Sequence, residues 1–465
     1  MTLRPTIAII GGGLSGAAVA YHLAGLLTQA EADVVVIEPR AELGRGLAYS
    51  AGDPDHRLNV PARRMTLRTD QLDHFQNWLA GQQDPPLPPG ACADVFAPRI
   101  VFGSYVAAQL APLLADGRVD HVRAVVTGIS RPDRYALNLS NGATLQADML
   151  VIAATHPKAA LPRELAMLAG TAALIDDPLA PGALDKIHEN ERILIVGNGL
   201  TSADIVATLR RRGHLGHITA VSRHGWRSMA HGPQQADTTA DFAQDPARTA
   251  LGLLRRVRQS LADDASAGLT WHATFDRLRA QGPAIWAALP VPERRRFLRH
   301  MRALWDVHRF RIAPQTLEAS LQMQRVGRLT HLGARIAQVQ VGDSIDLALV
   351  VRHNAVNIPL TVDRLILATG PAHSSVITGT PALSDLAALG LLQPDELHLG
   401  LKTCACGHAV PTQGKPDGSI LIAGPLARAT VGELMGVPEV IAWAEHIARE
   451  IVTQTRRRKA RIAAE

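Results

Sequence analysis

The sequence predicts an α/β protein with two Rossmann-like dinucleotide-binding domains, of the three-layer ββα flavoprotein type, and a helical insertion. Three observations predict it. The β-branched run from Thr6 to Ile10 leads into GGGLSG and then a helix of small residues. The same signal returns at Arg192 to Val196, followed by GNGLTSADIVATL. After each unit comes a stretch of short alternating strands ending in an apolar run, as a closing β-meander does.

Composition sets the outer limits. A chain of 465 residues has room for about three domains. With 47% hydrophobic and 19% charged residues it reads as packed and globular, which excludes a disordered, collagen-like or long coiled-coil chain. Cys92, Cys404 and Cys406 are too few for a disulfide framework, so the expected compartment is a reducing one, the cytoplasm. Pro5 to Ala30 carries no Asp, Glu, Lys or Arg, yet it holds Gly11, Gly12, Gly13, Gly16 and Gly25 and runs straight into DVVVIE. It reads as a buried strand, a glycine turn and a buried helix rather than a signal peptide or a membrane span. No membrane partner is expected. Much of the net charge of +6 sits in Arg456, Arg457, Arg458, Lys459 and Arg461, read as a frayed, solvated helix end rather than a nucleic-acid site.

In the first unit Gly11 permits the tight turn and Gly13 lets the backbone approach a pyrophosphate. Gly16 lets the helix sit close on the strand. The helix start at Leu14 and Ser15 offers free N–H groups and a partial positive charge to phosphates. Glu38, at the end of DVVVI, can accept both ribose hydroxyls and would repel a 2′-phosphate.

In the second unit Gly197 and Gly199 hold the first two glycine places and Ser202 the third, with Asn198 and Thr201 in the same loop. Its following strand, His217 to Val221, ends in Ser222 and Arg223 instead of an acid. A hydroxyl and a guanidinium suit the 2′-phosphate of NADPH, which favours NADPH over NADH; the other reading of Arg223 is a solvent-facing arginine. Asp204 reads as capping or orienting this loop. An acid in one unit and an arginine in the other imply two different nucleotides, FAD first and NADPH second.

The expected organisation is an FAD-binding domain, first part, over 1–160, then an NADP-binding domain over 161–328, and the second part of the FAD domain over 329–465. Thr155–His156–Pro157 and Thr369–Gly370–Pro371 are the expected connections. The insertion spans about 241–326. In it ERRRFLRHMRALWDVHRF reads as one helix, with Phe297, Leu298, Met301, Leu304 and Trp305 on one face. Arg294, Arg295, Arg296, Arg299 and Arg302 take the other side, as a solvated face or a lid over the cleft.

GRGLAYS (Gly44 to Ser50), HRLNVPARRM (His56 to Met65) and PRIVFGSYV (Pro98 to Val106) resemble the bacterial FAD/NAD(P)-binding proteins of the YdhS-like group. So do WDVHRFRIAP, LILATGP and GPLARATVGELMGVPEV, which makes the resemblance nearly chain-long. More distantly, the order of parts is similar to class B flavin monooxygenases. The resemblance implies that Arg45, Gly46 and Leu47 line the flavin pyrophosphate and ring edge, and that Val126 meets the adenine through its backbone. Gly424 and Pro425 would end a strand at the flavin, with Pro425 standing where many flavoproteins carry an Asp for the ribityl chain. Asn59, the one catalytic candidate, matches an Asn beside the flavin ring whose amide bonds a C4a-peroxy group or the nicotinamide; the alternative is a loop Asn satisfying its own backbone.

The activity so implied is that of an FAD-dependent oxidoreductase, reduced by NADPH, forming a C4a-hydroperoxyflavin with molecular oxygen and N-hydroxylating a small amine or amino-acid-like substrate. A carboxylate on that substrate has candidate partners in Arg63, Arg64 and Arg68, unless these are surface arginines. Two other readings stay open: an NAD(P)H:acceptor reductase or oxidase, and a non-catalytic redox-sensing or nucleic-acid-binding flavoprotein. Disulfide reduction fits poorly, because Cys92 stands alone and Cys404 and Cys406 are spaced by one residue. Cys404, Cys406 and His408 lack the second pair of a structural zinc site, so no metal is expected.

Overall fold

The computed structural model describes residues 4–82, 94–154 and 157–464. Cys92 and the Thr155–His156 part of the first expected connection lie outside the described residues. The first unit forms β1 (Thr6–Ile10), α1 (Leu14–Leu26) and β2 (Asp33–Ile37), followed by α2 (His74–Ala80), α3 (Arg99–Ala115) and β3 (Asp120–Val122). The meander β4 (Val126–Ser130), β5 (Tyr135–Leu139) and β6 (Thr144–Ala147) turns on Asn141–Gly142, with Gly142 at φ +84, and continues into β7 (Met149–Ile152).

The second unit comprises β8 (Leu174–Ile175), β9 (Ile193–Val196), α4 (Leu200–Arg211) and β10 (Ile218–Ser222). The insertion contains α5 (Ala250–Ser266), α6 (Trp271–Ala280), α7 (Gly282–Ala288), α8 (Val291–His300), α9 (Arg302–Arg309) and α10 (Pro314–Arg325). Then come β11 (Leu329–Val341), β12 (Ile345–Val351), β13 (Asn357–Val362) and β14 (Arg364–Leu367). The chain closes with α11 (Pro381–Ala388), β15 (Ile420–Ile422), α12 (Arg428–Val431) and α13 (Val437–Ala464).

Two sheets organise these elements. The first is parallel, in the order β15-β7-β1-β2-β3, and the second runs β13-β12-β11-β10-β9-β14-β8. Ile7, Ile9, Val36, Val151 and Ile422 are almost wholly buried in the first sheet, as parallel strands covered on both faces require. Each such side chain contributes roughly 1.5–3 kcal/mol relative to exposure. α13 packs along α1, and Val126, Ile129, Tyr135 and Leu137 of the meander join the same core. Among the described residues no helix is long and apolar enough to cross a membrane.

The structure corrects three sequence expectations. The boundary at 328/329 moves, because β11 pairs parallel with β10 through Leu329–Gly333 and then antiparallel with β12 from Ala334 on. Thus 329–367 extends the second sheet, and the chain returns to the first sheet only at β15, which pairs with β7. The arginine-rich segment is two helices, α8 and α9, broken at Met301, and Leu304 is exposed. Arg294 is not on a solvated face: its Nε donates to the carbonyls of Trp286 (3.0 Å) and Leu289 (2.8 Å). The basic tail is helical and partly docked, with Arg456 Nε 3.0 Å from Glu31 and Arg458 Nη2 3.1 Å from Asp148.

Candidate dinucleotide and substrate sites

At the first loop Gly11 sits at φ +100 and donates its N–H to the Ile37 carbonyl at 3.0 Å. That left-handed backbone favours glycine, and a Cβ there would lie 2.7 Å from the Ala153 carbonyl oxygen. A Cβ on Gly16 would run into the Gly11 carbonyl, so α1 can approach β1 only because position 16 is bare. Gly13 caps α1 with extended backbone and faces Gly46, whose own Cβ would stand 3.0 Å from the Gly13 Cα. Two bare backbones therefore meet at the helix N-terminus, a cradle that fits a pyrophosphate. A Cβ on Gly424, at φ +70 just past β15, would strike Ser15 Oγ, so the fold brings Ser15, Gly424 and Pro425 together at the start of α1.

Glu38 is buried at the end of β2. Its Oε2 accepts from the Gly12 N–H (2.9 Å), and its Oε1 accepts from the Arg40 N–H (3.1 Å) and Arg40 Nη1 (3.0 Å). Carboxylate lone pairs remain for ribose hydroxyls, but Arg40 offsets part of the charge that would repel a 2′-phosphate. Arg45 Nη2 reaches Ser104 Oγ at 3.3 Å, and Leu47 is exposed in the same loop. Val126 is buried at the first position of β4, opposite Leu139. The donor set fits FAD at the phosphates and the adenosine ribose.

The second loop repeats the plan. Gly197 at φ +129 donates to the Val221 carbonyl at 2.8 Å, and Gly199 caps α4, with Leu200 and Thr201 opening the helix. Asn198 is buried, with Nδ2 3.3 Å from Ser222 Oγ and Oδ1 3.3 Å from His331 Nδ1. Ser202 Oγ and His331 Nε2 are buried without a hydrogen-bond partner among the described residues. Burial, reinforced by Arg227, pushes His331 down to about 4, so it is neutral near pH 7. Arg223 is exposed at the end of β10, beside His224, to whose Nδ1 Arg352 Nη1 donates at 2.6 Å. Burial, then Arg352 and Arg223, hold His224 below its ordinary range. Neither arginine joins an ion pair among the described residues, so two guanidinium charges without a carboxylate partner flank this strand end. The second of them, Arg352, and His331 were invisible in the sequence, since β11, paired parallel with β10, delivers His331 and the end of β12 delivers Arg352, both from far along the chain.

The two units meet face to face. His231, from the second unit, donates Nε2–H to the Asn59 carbonyl at 3.2 Å and lies against Phe96, ring centroids 4.7 Å apart. Burial, then Arg311, pushes His231 down to about 4. The Asn59 side-chain amide makes no hydrogen bond among the described residues, so the reading in which it satisfies its own backbone gains no support. Of the three arginines expected near a substrate carboxylate, Arg63 pairs with Asp94 (2.7 Å) and Arg68 with Asp70 (3.0 Å). Arg64 is exposed and joins no ion pair among the described residues; partial burial of its head leads the causes lowering its pKa, with Asp276 opposing and Arg279, Arg63 and Arg311 adding to the fall. Asp204 does not cap its own loop: Arg99 Nη2 on α3 donates to its Oδ2 at 2.6 Å across the interface. Beside that pair Arg211 bridges Asp53 (2.7 Å) and Asp55 (2.6 Å).

Two glycine-loop units on separate sheets, joined through one interface, define the two-dinucleotide flavoprotein fold. Residues 8–157 match the model of a protein family described as FAD-NAD(P)-binding. No curated protein matches the sequence. Among solved structures the fold is similar to L-lysine 6-monooxygenase from Pseudomonas syringae, at 18% identity and TM-score 0.64, covering 98% of this chain and 99% of that one. It is also similar to the ornithine N-hydroxylase of Kutzneria sp. 744, at 16% identity and TM-score 0.61, covering 98% and 100%. Thioredoxin reductase from Lactococcus lactis follows at 12% identity and TM-score 0.51, covering 97% and 99%.

Proposed function

We propose that this protein is an NADPH-dependent flavin monooxygenase that hydroxylates the amine of a small, carboxylate-bearing substrate. The observation that carries the reading is the shared interface of the two unlike dinucleotide-binding units, where Asn59 and His231 meet. Likeness in fold to lysine and ornithine N-hydroxylases supports it. Bound flavin supplies the electron transfer and oxygen activation for which side chains have no equivalent. The chain's own residues bind, orient and exclude water.

Arg223 and Arg352 grip the 2′-phosphate of NADPH, with the planar fork suited to it. Arg223→Ala is expected to raise KM for NADPH at least tenfold and KM for NADH less than twofold, read by steady-state flavin reduction. Equal effects on the two would remove the phosphate assignment. Arg64 holds the substrate carboxylate, and Asn59 presents its free amide to the reacting face. An amine attacks oxygen only when unprotonated. Arg279 and Arg311 are paired with Glu439 (2.7 Å) and Asp276 (2.8 Å), which leaves the Arg64 charge unpaired to favour the neutral amine, and His231, uncharged at pH 7, adds no acid there. Arg64→Ala is expected to raise substrate KM by 10–100-fold, with the NADPH KM unchanged, because a charge-assisted pair contributes about 1.5–3 kcal/mol. A panel of amino acids and their amides reads this directly; a preference indifferent to the carboxylate would remove Arg64 from the site.

The deciding experiment counts hydroxylated amine against NADPH consumed in air. Near-stoichiometric product supports the proposal. Equimolar hydrogen peroxide with no product from any amine overturns it in favour of an oxidase or acceptor reductase.

A further inference from the structure

Cys404 and Cys406 have no place in the reading above. They sit in the turn Cys404–Ala405–Cys406–Gly407, closed by Gly407 N–H to the Cys404 carbonyl at 3.0 Å and flanked by Cys404 N–H to the His408 carbonyl at 3.0 Å. Both thiols are half-buried and free. The ends of a β-turn lie within about 7 Å, and residues one apart inside it are closer still, within the Cα span a disulfide bridges.

The turn is held firmly on both sides. Gly407, at φ +90, could carry no side chain: a Cβ would strike Ile447 of α13. The Gly407 carbonyl accepts from the Ile422 N–H at 2.8 Å, and the Ala409 N–H donates to the Ile420 carbonyl at 2.9 Å, so the turn is stitched to β15. Thr430 Oγ1 donates to the Thr403 carbonyl at 3.0 Å from α12, and His408 Nε2 meets Glu450 at 3.1 Å on α13. A scaffold fixed at this many points holds the two sulfurs together instead of letting them drift apart. Among the described residues no group of three His, Cys, Asp or Glu side chains is arranged to hold a metal.

We propose that Cys404 and Cys406 are a peroxide-responsive dithiol that closes into an intrachain disulfide. Burial, then the neighbouring Cys404, pushes the Cys406 thiol up, which disfavours the Cys406 thiolate. Cys404 attacks one oxygen of hydrogen peroxide; the O–O bond breaks, Cys404 becomes a sulfenic acid and one water leaves. The Cys406 sulfur then displaces the hydroxyl, the S–S bond forms and a second water leaves. The two thiols give up two electrons and two protons in all, and the peroxide is reduced to two waters. A ring closed over a single residue is strained and half-exposed, which makes it readily reduced by small thiols and therefore reversible. Since β15 runs directly into Gly424 and Pro425, this closure acts on the frame of the expected flavin loop.

The test uses the full-length flavin-loaded protein carrying Cys92→Ser, which leaves two cysteines. After brief peroxide treatment and alkylation, both thiols are expected to be lost, the intact mass to fall by two hydrogens, and dithiothreitol to restore both. Cys406→Ser in that background should trap a sulfenic acid on Cys404, whereas Cys404→Ser should react at least tenfold more slowly. Unreacted thiols, oxygen added to one cysteine with no bridge, or bridges between chains would each overturn the proposal. If Cys92→Ser does not fold, peptide mapping of the peroxide-treated wild-type chain decides the same question, and there a bridge from Cys92 would also overturn it.

Discussion

Gly13→Ala is expected to fold as stably as the wild type in its flavin-free form and yet to purify with at least tenfold less flavin. Gly13 has φ −65 and ψ −171, which alanine adopts without strain. Its added Cβ would stand 3.4 Å from the Gly46 Cα, an ordinary contact. What the methyl does occupy is the space between two bare backbones at the start of α1, where a pyrophosphate has to approach the N–H groups. Tenfold corresponds to about 1.4 kcal/mol, well within the loss of one or two phosphate hydrogen bonds. Gly16→Ala is the contrasting case. There the methyl meets the Gly11 carbonyl, backbone against backbone, with no side chain able to yield. Overpacking of that kind costs about 1–3 kcal/mol or more, so this variant should lose thermal stability with or without flavin. The ratio of flavin to protein absorbance, set beside melting of the flavin-free forms, separates the two. Gly13→Ala with full flavin content would remove the first loop from the flavin site.

The contrast also shows what was legible in the sequence. Gly11, Gly13, Gly16, Gly197 and Gly199 announce themselves because their demands are local: a left-handed turn, a close helix, a bare backbone, each within a few residues. The meander turn at Asn141–Gly142 is legible for the same reason. The 328/329 boundary was not, because β11 is one continuous strand whose first residues serve one neighbour and whose last serve another. Nor was the break between α8 and α9, since the apolar spacing runs on through Met301 while partners elsewhere divide it. Arg294 reads as a solvent residue until α7 and the Ala429 carbonyl are placed beside it. The interface pairs are the extreme case. Arg99 with Asp204 and His231 with Asn59 join residues more than a hundred positions apart, so no window of sequence contains both partners.

Asp204 gives the second large expected effect. Its carboxylate is almost wholly buried, and burial, opposed by Arg99, pushes it from 3.8 up to about 7. A carboxyl whose folded pKa is raised stabilises the fold most when it is protonated, below its ordinary value, and that contribution is lost as pH climbs through about 7. The full span is about 4 kcal/mol at most. His56, which meets Thr208 Oγ1 (3.2 Å) one helical turn along α4, works in the other sense: burial lowers it, so its contribution is lost as pH falls through its depressed pKa. Asp53, lowered despite burial by hydrogen bonds and by His56 and Arg211, changes only at lower pH. The wild-type pH profile therefore mixes opposed slopes, and the difference between wild type and Asp204→Asn isolates the one group. Denaturant unfolding is expected to show Asp204→Asn gaining about 2–4 kcal/mol on the wild type between pH 4 and pH 8. Arg99→Ala should do the reverse, costing about 3–5 kcal/mol at pH 8, where it strands a buried carboxylate, and markedly less at pH 5, where that carboxylate takes a proton. A flat difference curve for Asp204→Asn, with an Arg99→Ala cost independent of pH, would mean that Asp204 stays ionised throughout and that the pair locks the two units together by charge alone.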